Sequence, residues 1–138
     1  MSSGSAEQRS PAVTVTGFDH VVLRVADVER ALEFYRGELG LAGERVDEWR
    51  RGDAPFPSVR IDATTVIDFV ADELRATRVA ENMDHLCLVV APLDLDALRA
   101  SGRFTVVDGP APRWGAQGIA TSLYVRDPDG NTVELRHY

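Results

Sequence analysis

Phe18-Asp19-His20-Val21-Val22-Leu23-Arg24-Val25-Ala26 can be laid over Met83-Asp84-His85-Leu86-Cys87-Leu88-Val89-Val90-Ala91 with the Asp-His pairs aligned, 65 residues apart. Both stretches are rich in Val and Leu and free of Gly and Pro, which predicts strands. Each leads into helical spacing. After the first, Asp27 suits an N-cap, and Val28, Ala31, Leu32 and Tyr35 follow at helical intervals, with Gly40 as terminator. After the second, Pro92 is expected to start a shorter helix carrying Leu95 and Leu98, with Gly102 at its end. Strand-like material closes both halves: from about Arg45 through a turn-rich 51–57 to 59–70 in the first, then 104–108 and 120–136 in the second. In Arg126-Asp127-Pro128-Asp129-Gly130-Asn131, Pro and Gly fall where a hairpin turn wants them. The spans 17–71 and 83–137 are 55 residues each, so a duplicated βαβββ unit is the simplest account.

A chain of 138 residues is long enough for one ordinary domain, or for two small halves sharing a core. We expect a disordered tail over 1–12 and a single domain over 13–138, with module 1 at about 17–71, a linker over 72–82 and module 2 at about 83–137. The linker is expected to hold some helix and no chemistry. With 44% hydrophobic and 27% charged residues the composition is that of a soluble globular protein. No apolar run approaches the roughly 20 residues that span a bilayer. Net charge −7 leaves no basic field for nucleic acid or anionic lipid, so neither is an expected partner. All 15 basic residues are Arg, which excludes lysine Schiff-base chemistry. The single Cys, Cys87, excludes a disulfide framework and a thiolate zinc cluster within one chain, and a reducing cytoplasm fits.

Strand alternation sorts side chains by face. Val21, Leu23 and Val25 share one face of the first strand, and Leu86, Leu88 and Val90 match them in its counterpart. His20, Val22 and Arg24 then stand with His85, Cys87 and Val89 on the other face, the one turned away from the helices. In the last strand Val133 and Leu135 oppose Thr132, Glu134 and Arg136. If the sheets curve together, that second face lines a cup where His20, His85 and Glu134 meet. Two imidazoles and a carboxylate suit one divalent metal ion, Fe(II), Mn(II), Ni(II) or Zn(II), with positions open for water or substrate. A histidine opening a strand can equally be a hydrogen-bonded residue, but its repetition favours the ligand role. Asp68 takes in the first half the place of Glu134 in the second, with Val66 and Val70 beside it and Ile67 and Phe69 on the core face. One methylene shorter than Glu, it is either a fourth ligand or a hydrogen-bonded neighbour.

These residues resemble the vicinal oxygen chelate superfamily, the glyoxalase, bleomycin-resistance and extradiol dioxygenase group. The likeness runs from Asp19-His20-Val21-Val22-Leu23-Arg24-Val25, Ala31-Leu32-Glu33-Phe34-Tyr35 and Leu39-Gly40-Leu41 to Asp84-His85-Leu86. It ends with Tyr124-Val125-Arg126-Asp127-Pro128-Asp129-Gly130-Asn131 and Glu134-Leu135. The resemblance implies an α+β fold of paired βαβββ modules forming a curved mixed sheet around a cup. It also implies His20, His85 and Glu134 at metal-ligand positions, Asp68 at one often held by Glu in glyoxalases, and a homodimer. By the same likeness Glu134 both binds metal and acts as base, and Arg24 resembles the arginine that holds a glutathione carboxylate; its alternative is a surface ion pair. Tyr124 has the spacing of a substrate-facing tyrosine, with packing as its alternative. The Gly- and Pro-rich stretch 109–118 is expected to be an irregular loop over the cup, bringing Arg113 and Trp114 to a substrate.

The leading expectation is a metal-dependent glyoxalase-like lyase or isomerase, of the lactoylglutathione-lyase type, acting on a small oxygenated or thiol-conjugated metabolite. An extradiol-type dioxygenase is the second, since two His and one Glu also make its Fe(II) triad; with only His137 left over, it lacks acid/base histidines. A metal-free drug-binding protein is the third, and the ligand set speaks against it.

Overall fold

The computed structural model describes residues 10–72, 82–126, 128 and 130–138. Most of the expected tail (1–9) and linker (73–81), with the helix expected there, and turn positions Asp127 and Asp129 lie outside that set. The chain runs β1 (Val15–Val25), α1 (Val28–Leu32, continued by a π-helical turn, Glu33–Glu38), β2 (Ala42–Glu44), α2 (Val46–Arg50), β3 (Ser58–Asp62) and β4 (Thr65–Ala71). It continues with β5 (Met83–Val90), α3 (Leu95–Ala100), β6 (Thr105–Gly115), β7 (Gly118–Arg126) and β8 (Thr132–His137). Among the described residues no helix is long and apolar enough to cross a membrane.

The strands form one eight-stranded mixed sheet in the order β2-β3-β4-β1-β5-β8-β7-β6, which reads as the same module twice in opposite directions. In each module the first strand lies parallel to the last, and β1 joins the modules by pairing antiparallel with β5. That pairing has an internal symmetry: Val21 faces Leu86, its own counterpart, so His20 falls opposite Cys87 and His85 opposite Val22. The two histidines are therefore diagonal neighbours on one face of the central pair, about 7–8 Å apart at the backbone by ordinary sheet geometry.

Each module packs its other face against its own helices. Val28, Leu32, Val46, Val59 and Phe69 form the first core, with Leu23, Val25 and Ile67 against them; Val90, Leu95, Leu98, Leu123, Val125 and Leu135 form the second, joined by Leu88 and Val133. Burying each such side chain contributes about 1.5–3 kcal/mol before conformational entropy is set against it. The alternation expected for β1, β4, β5 and β8 is the one observed. Asp27 caps α1 as expected, accepting from the Arg30 amide.

Three local expectations are corrected. The helix of module 2, α3, begins at Leu95 and not at Pro92, because Asp94 caps it, accepting from the Ala97 amide at 3.0 Å. The turn-rich stretch of module 1 is preceded by a short helix, α2. Residues 109–118 are not an irregular loop: β6 runs on to Gly115 and turns tightly into β7. Two features admit Pro and Gly there. β6 is the outermost strand, where a missing N–H need not break a ladder, and its pairing slips between Val106 and Ala111. Gly109 lies there at φ 90, and a Cβ on it would collide with the Ser122 carbonyl.

Candidate metal centre

His20 and His85 are each preceded by an aspartate at a break in the β1–β5 register. The pairing skips Asp19 between Phe18 and His20, and skips Asp84 between Val22 and Leu23. In a regular strand neighbours point to opposite faces; a bulge re-aims one of them, so each aspartate can reach the ring that follows it. The two contacts are alike: His20 Nδ1 to Asp19 Oδ1 and His85 Nδ1 to Asp84 Oδ2, both 2.7 Å. A carboxylate on Nδ1 makes that nitrogen the donor and leaves Nε2 for a ligand.

The two Nε2 atoms point at each other and at Glu134, which β8 supplies from its place beside Cys87. His20 Nε2 to His85 Nε2 is 3.3 Å, His20 Nε2 to Glu134 Oε1 is 3.1 Å and His85 Nε2 to Glu134 Oε1 is 3.0 Å. A first-row divalent ion bonds such atoms at about 2.0–2.2 Å, so neighbouring ligand atoms around it stand about 3.0–3.4 Å apart. All three separations fit that spacing. Glu134 is anchored by its other oxygen, Oε2, which accepts from Ser122 Oγ (2.6 Å) and Arg136 Nη1 (3.0 Å).

Asp68 is on the same face, opposite Val22, but stands outside this ring of atoms: its Oδ2 is 3.8 Å from His20 Nε2. Its Oδ1 accepts from Ser58 Oγ, which in turn accepts from Arg45. Burial raises the Asp68 carboxyl above the usual range, against the pull of His20, Ser58 and Arg45. Glu134 goes the other way: burial would raise it, but hydrogen bonds from His20 and His85 hold it well below the ordinary carboxylate range.

Among these three ligand candidates, His85 is the most exposed, at 13%, against 2% for His20 and 1% for Glu134. Access to the centre is therefore over His85, where two clefts meet. The first, about 430 Å³, is lined by Arg24, Arg113, Arg126 and Tyr124; the second, about 490 Å³, by Val22, Val70 and Phe56. His85, Arg24 and Asp84 border both.

Of the residues expected to meet a substrate, Arg24 is held by Asp84 Oδ1 through Nε (2.9 Å) and Nη2 (2.6 Å). Tyr124 lies edge-on to His85, with centroids 5.4 Å apart, and burial pushes its phenol well above the usual range. Arg113 reaches over the Tyr124 ring and pairs with Asp108. Trp114 borders neither cleft; Arg45 lies over its ring, and Phe56 meets it edge to face.

Sequence reasoning missed Asp19, Asp84, Ser122 and Ser58 as partners of the centre, and with them Tyr138. Tyr138 donates to Asp19 Oδ2 at 2.5 Å, while the Ala116 amide donates to Oδ1 at 2.8 Å. For the two aspartates a signal existed, since each repeats directly before its histidine. For the serines and Tyr138 there was none.

Burial alone would lower the His20 imidazole, but hydrogen bonds to Asp19 and Glu134 raise it to about 9; His85 is raised by Asp84 and Glu134 in the same way. A raised group stabilises the fold below its unfolded value and loses that contribution as pH climbs through its folded one. Metal-free protein should therefore lose stability between about pH 6.5 and 9, by up to about 3 kcal/mol from His20. Urea unfolding of chelator-stripped protein at pH 6 and pH 9.5 measures this, and an unchanged or higher midpoint at the upper pH would contradict it.

The chain matches the Glyoxalase/Bleomycin resistance protein/Dioxygenase superfamily over residues 17–135. Virulence protein STM3117 of Salmonella typhimurium (strain LT2) is 31% identical over 123 residues, covering 87% of this chain and 83% of that protein. Glyoxalase domain-containing protein RDO1 of Mycosarcoma maydis is 31% identical over 136 residues, covering 96% and 74%. Among solved structures, methylmalonyl-CoA epimerase from Mycobacterium tuberculosis superposes with a TM-score of 0.60 at 23% identity, covering 96% of this chain and 94% of that one. A Streptomyces coelicolor methylmalonyl-CoA epimerase in complex with 2-nitronate-propionyl-CoA gives 0.61 at 21%, covering 90% and 98%. At those identities the likeness is one of fold.

Proposed function

The chain belongs to the Glyoxalase/Bleomycin resistance protein/Dioxygenase superfamily, and from that premise we propose that it is a metal-dependent, glyoxalase-like lyase or isomerase of small oxygenated or thiol-conjugated metabolites. The observation that carries the reading is the convergence of His20 Nε2, His85 Nε2 and Glu134 Oε1 within 3.3 Å of one another. Those three residues would hold one divalent ion, Ni, Zn, Mn or Fe. When bound, such an ion polarises two adjacent substrate oxygens and stabilises the negative charge left by proton removal.

The protein's own side chains divide the remaining work. Asp19 and Asp84 keep both imidazoles turned with Nε2 inward. Glu134 would be taken up as a ligand, because Oε2 is held by Ser122 and Arg136 and Oε1 is turned to both imidazoles. Asp68 is better placed to act as base: it is buried, its Oδ1 is held by Ser58 and its Oδ2 is turned to the centre. Tyr124 keeps its proton and can donate a hydrogen bond from the cleft wall. Arg24 and Arg113, on the same cleft, would orient polar or anionic parts of the substrate.

The two-His, one-carboxylate triad also favours a second reading, the extradiol-type dioxygenase. One set of measurements separates these. Chelator-stripped protein is reloaded with Ni, Zn, Mn or Fe(II), the bound metal is quantified, and the loaded protein is assayed in D2O with hemithioacetals and 2-oxo acids, and with catechols on an oxygen electrode. The lyase or isomerase reading expects about one ion per chain and deuterium entry next to a carbonyl. Oxygen uptake with catechols would replace it by the dioxygenase, and absence of metal uptake would leave a metal-free binding protein. The homodimer and the cytoplasmic location are part of the same proposal, the former checked by sedimentation.

A further inference from the structure

Each module places one carboxylate at the same register position on the cup face, Asp68 opposite Val22 and Glu134 opposite Cys87. Each carboxylate has a serine and an arginine gathered on one of its two oxygens. Ser122 and Arg136 hold Oε2 of Glu134. Ser58 holds Oδ1 of Asp68, and Arg45 stands behind it, donating from Nη2 to Ser58 Oγ and lying 3.5 Å from the same Oδ1. The outcomes differ. Glu134 Oε1 comes within 3.0 and 3.1 Å of the histidines, whereas Asp68 Oδ2 stops at 3.8 Å.

Arg45 keeps its place against its own backbone preference. At φ 58 and ψ 23 it is the one non-glycine residue with positive φ among the described residues. An L side chain avoids this region, and it persists where surrounding structure over-determines it, often at functional sites. Here the surroundings are visible: the guanidinium carbon lies 5.2 Å from the Phe56 ring centroid and 5.0 Å from that of Trp114. Stacking on two rings immobilises the cation, while Nε is buried without a hydrogen-bond partner among the described residues. The side chain is thus committed to the Ser58–Asp68 side of the cup.

We propose that Arg45 is a positioning residue: held by its left-handed turn and two aromatic rings, it fixes Asp68 through Ser58 so that this carboxylate stays beside the metal centre and outside its ligand set. The inference rests on the metal-centre reading above. It also gives Trp114 a role, as one wall of the clamp.

Titration of the full chain with Mn(II), followed by the EPR signal of the free ion, tests it in four proteins: wild type, Arg45→Asn, Asp68→Asn and the double variant. Asn is chosen because it tolerates the left-handed region. Arg45→Asn should bind Mn(II) about tenfold tighter, since a freed Asp68 can add its oxygen to the ligand set, and affinity for a hard divalent ion rises with the number of charged ligands. Asp68→Asn alone should stay near the wild type, and the double variant should lose the gain. A mere loss of positive charge would tighten binding by the same factor in both backgrounds, and that additive result overturns the proposal. So does an Arg45→Asn affinity equal to the wild type. Ser58→Ala, which leaves Arg45 and its turn intact, should give the same gain and serves if Arg45→Asn does not fold; no gain there counts against the clamp. If the wild type takes up no Mn(II), the metal-centre reading falls and this inference with it, whereas uptake with additive variants removes the role of Arg45 alone.

Discussion

Replacing Arg136 by Met is expected to destabilise the protein by about 3–5 kcal/mol, the usual consequence of removing one partner from a buried ion pair. The Arg136 side chain is fully buried. Its guanidinium donates to Glu134 Oε2 at 3.0 Å, to the carbonyls of Arg113, Trp114 and Gly118 at 2.9–3.0 Å, and to Ser122 Oγ at 3.3 Å, and it stacks on the Tyr138 ring. Met fills similar volume but supplies none of those hydrogens, so a carboxylate and three carbonyls lose a donor away from water. For a domain of about 5–15 kcal/mol total stability that is a large fraction. Arg24→Gln is the control, because its ion pair with Asp84 is about a third exposed on both sides and should cost about 1 kcal/mol or less. Urea unfolding of both variants decides; a loss below 1 kcal/mol for Arg136→Met would mean that Glu134 finds compensation without it.

The second large effect is on metal. Glu134→Gln is expected to weaken divalent-ion binding by more than about 100-fold, beyond the roughly 10–100-fold that loss of an outer partner costs. Among the described residues Oε1 is the one oxygen that touches both imidazoles, and an amide there brings neither the negative charge nor the same basicity. Asp68→Asn, at 3.8 Å from His20 Nε2, should change affinity little. Metal content of the two variants after purification and reloading gives the comparison. Equal losses would place both carboxylates in the ligand set and remove the distinction between ligand and base drawn above.

The residues that made the site legible were the repeated ones. Asp19-His20 and Asp84-His85 aligned in the sequence, and strand alternation put His20, His85, Glu134 and Asp68 on one face, where the structure has them. Local chemistry misled where tertiary position overrode it. Gly109 and Pro110 argued for a loop, yet an edge strand with a slipped register tolerates both. Trp114 lies in that strand as well, and its ring packs on Arg45. Arg45 itself carried no signal, since a left-handed arginine has no sequence pattern to announce it.

By itself, then, the sequence determined the duplicated module, the core face of each strand and the face that carries two histidines and two carboxylates, because periodicity and repetition are local properties that side-chain burial enforces. Only the tertiary structure decided how the two carboxylates differ. One methylene sets their reach, and which oxygen is tied down depends on a serine from a neighbouring strand and an arginine brought there by β8 or by a strained turn. Those are relations between strands and turns, to which the periodicity of any single strand is blind.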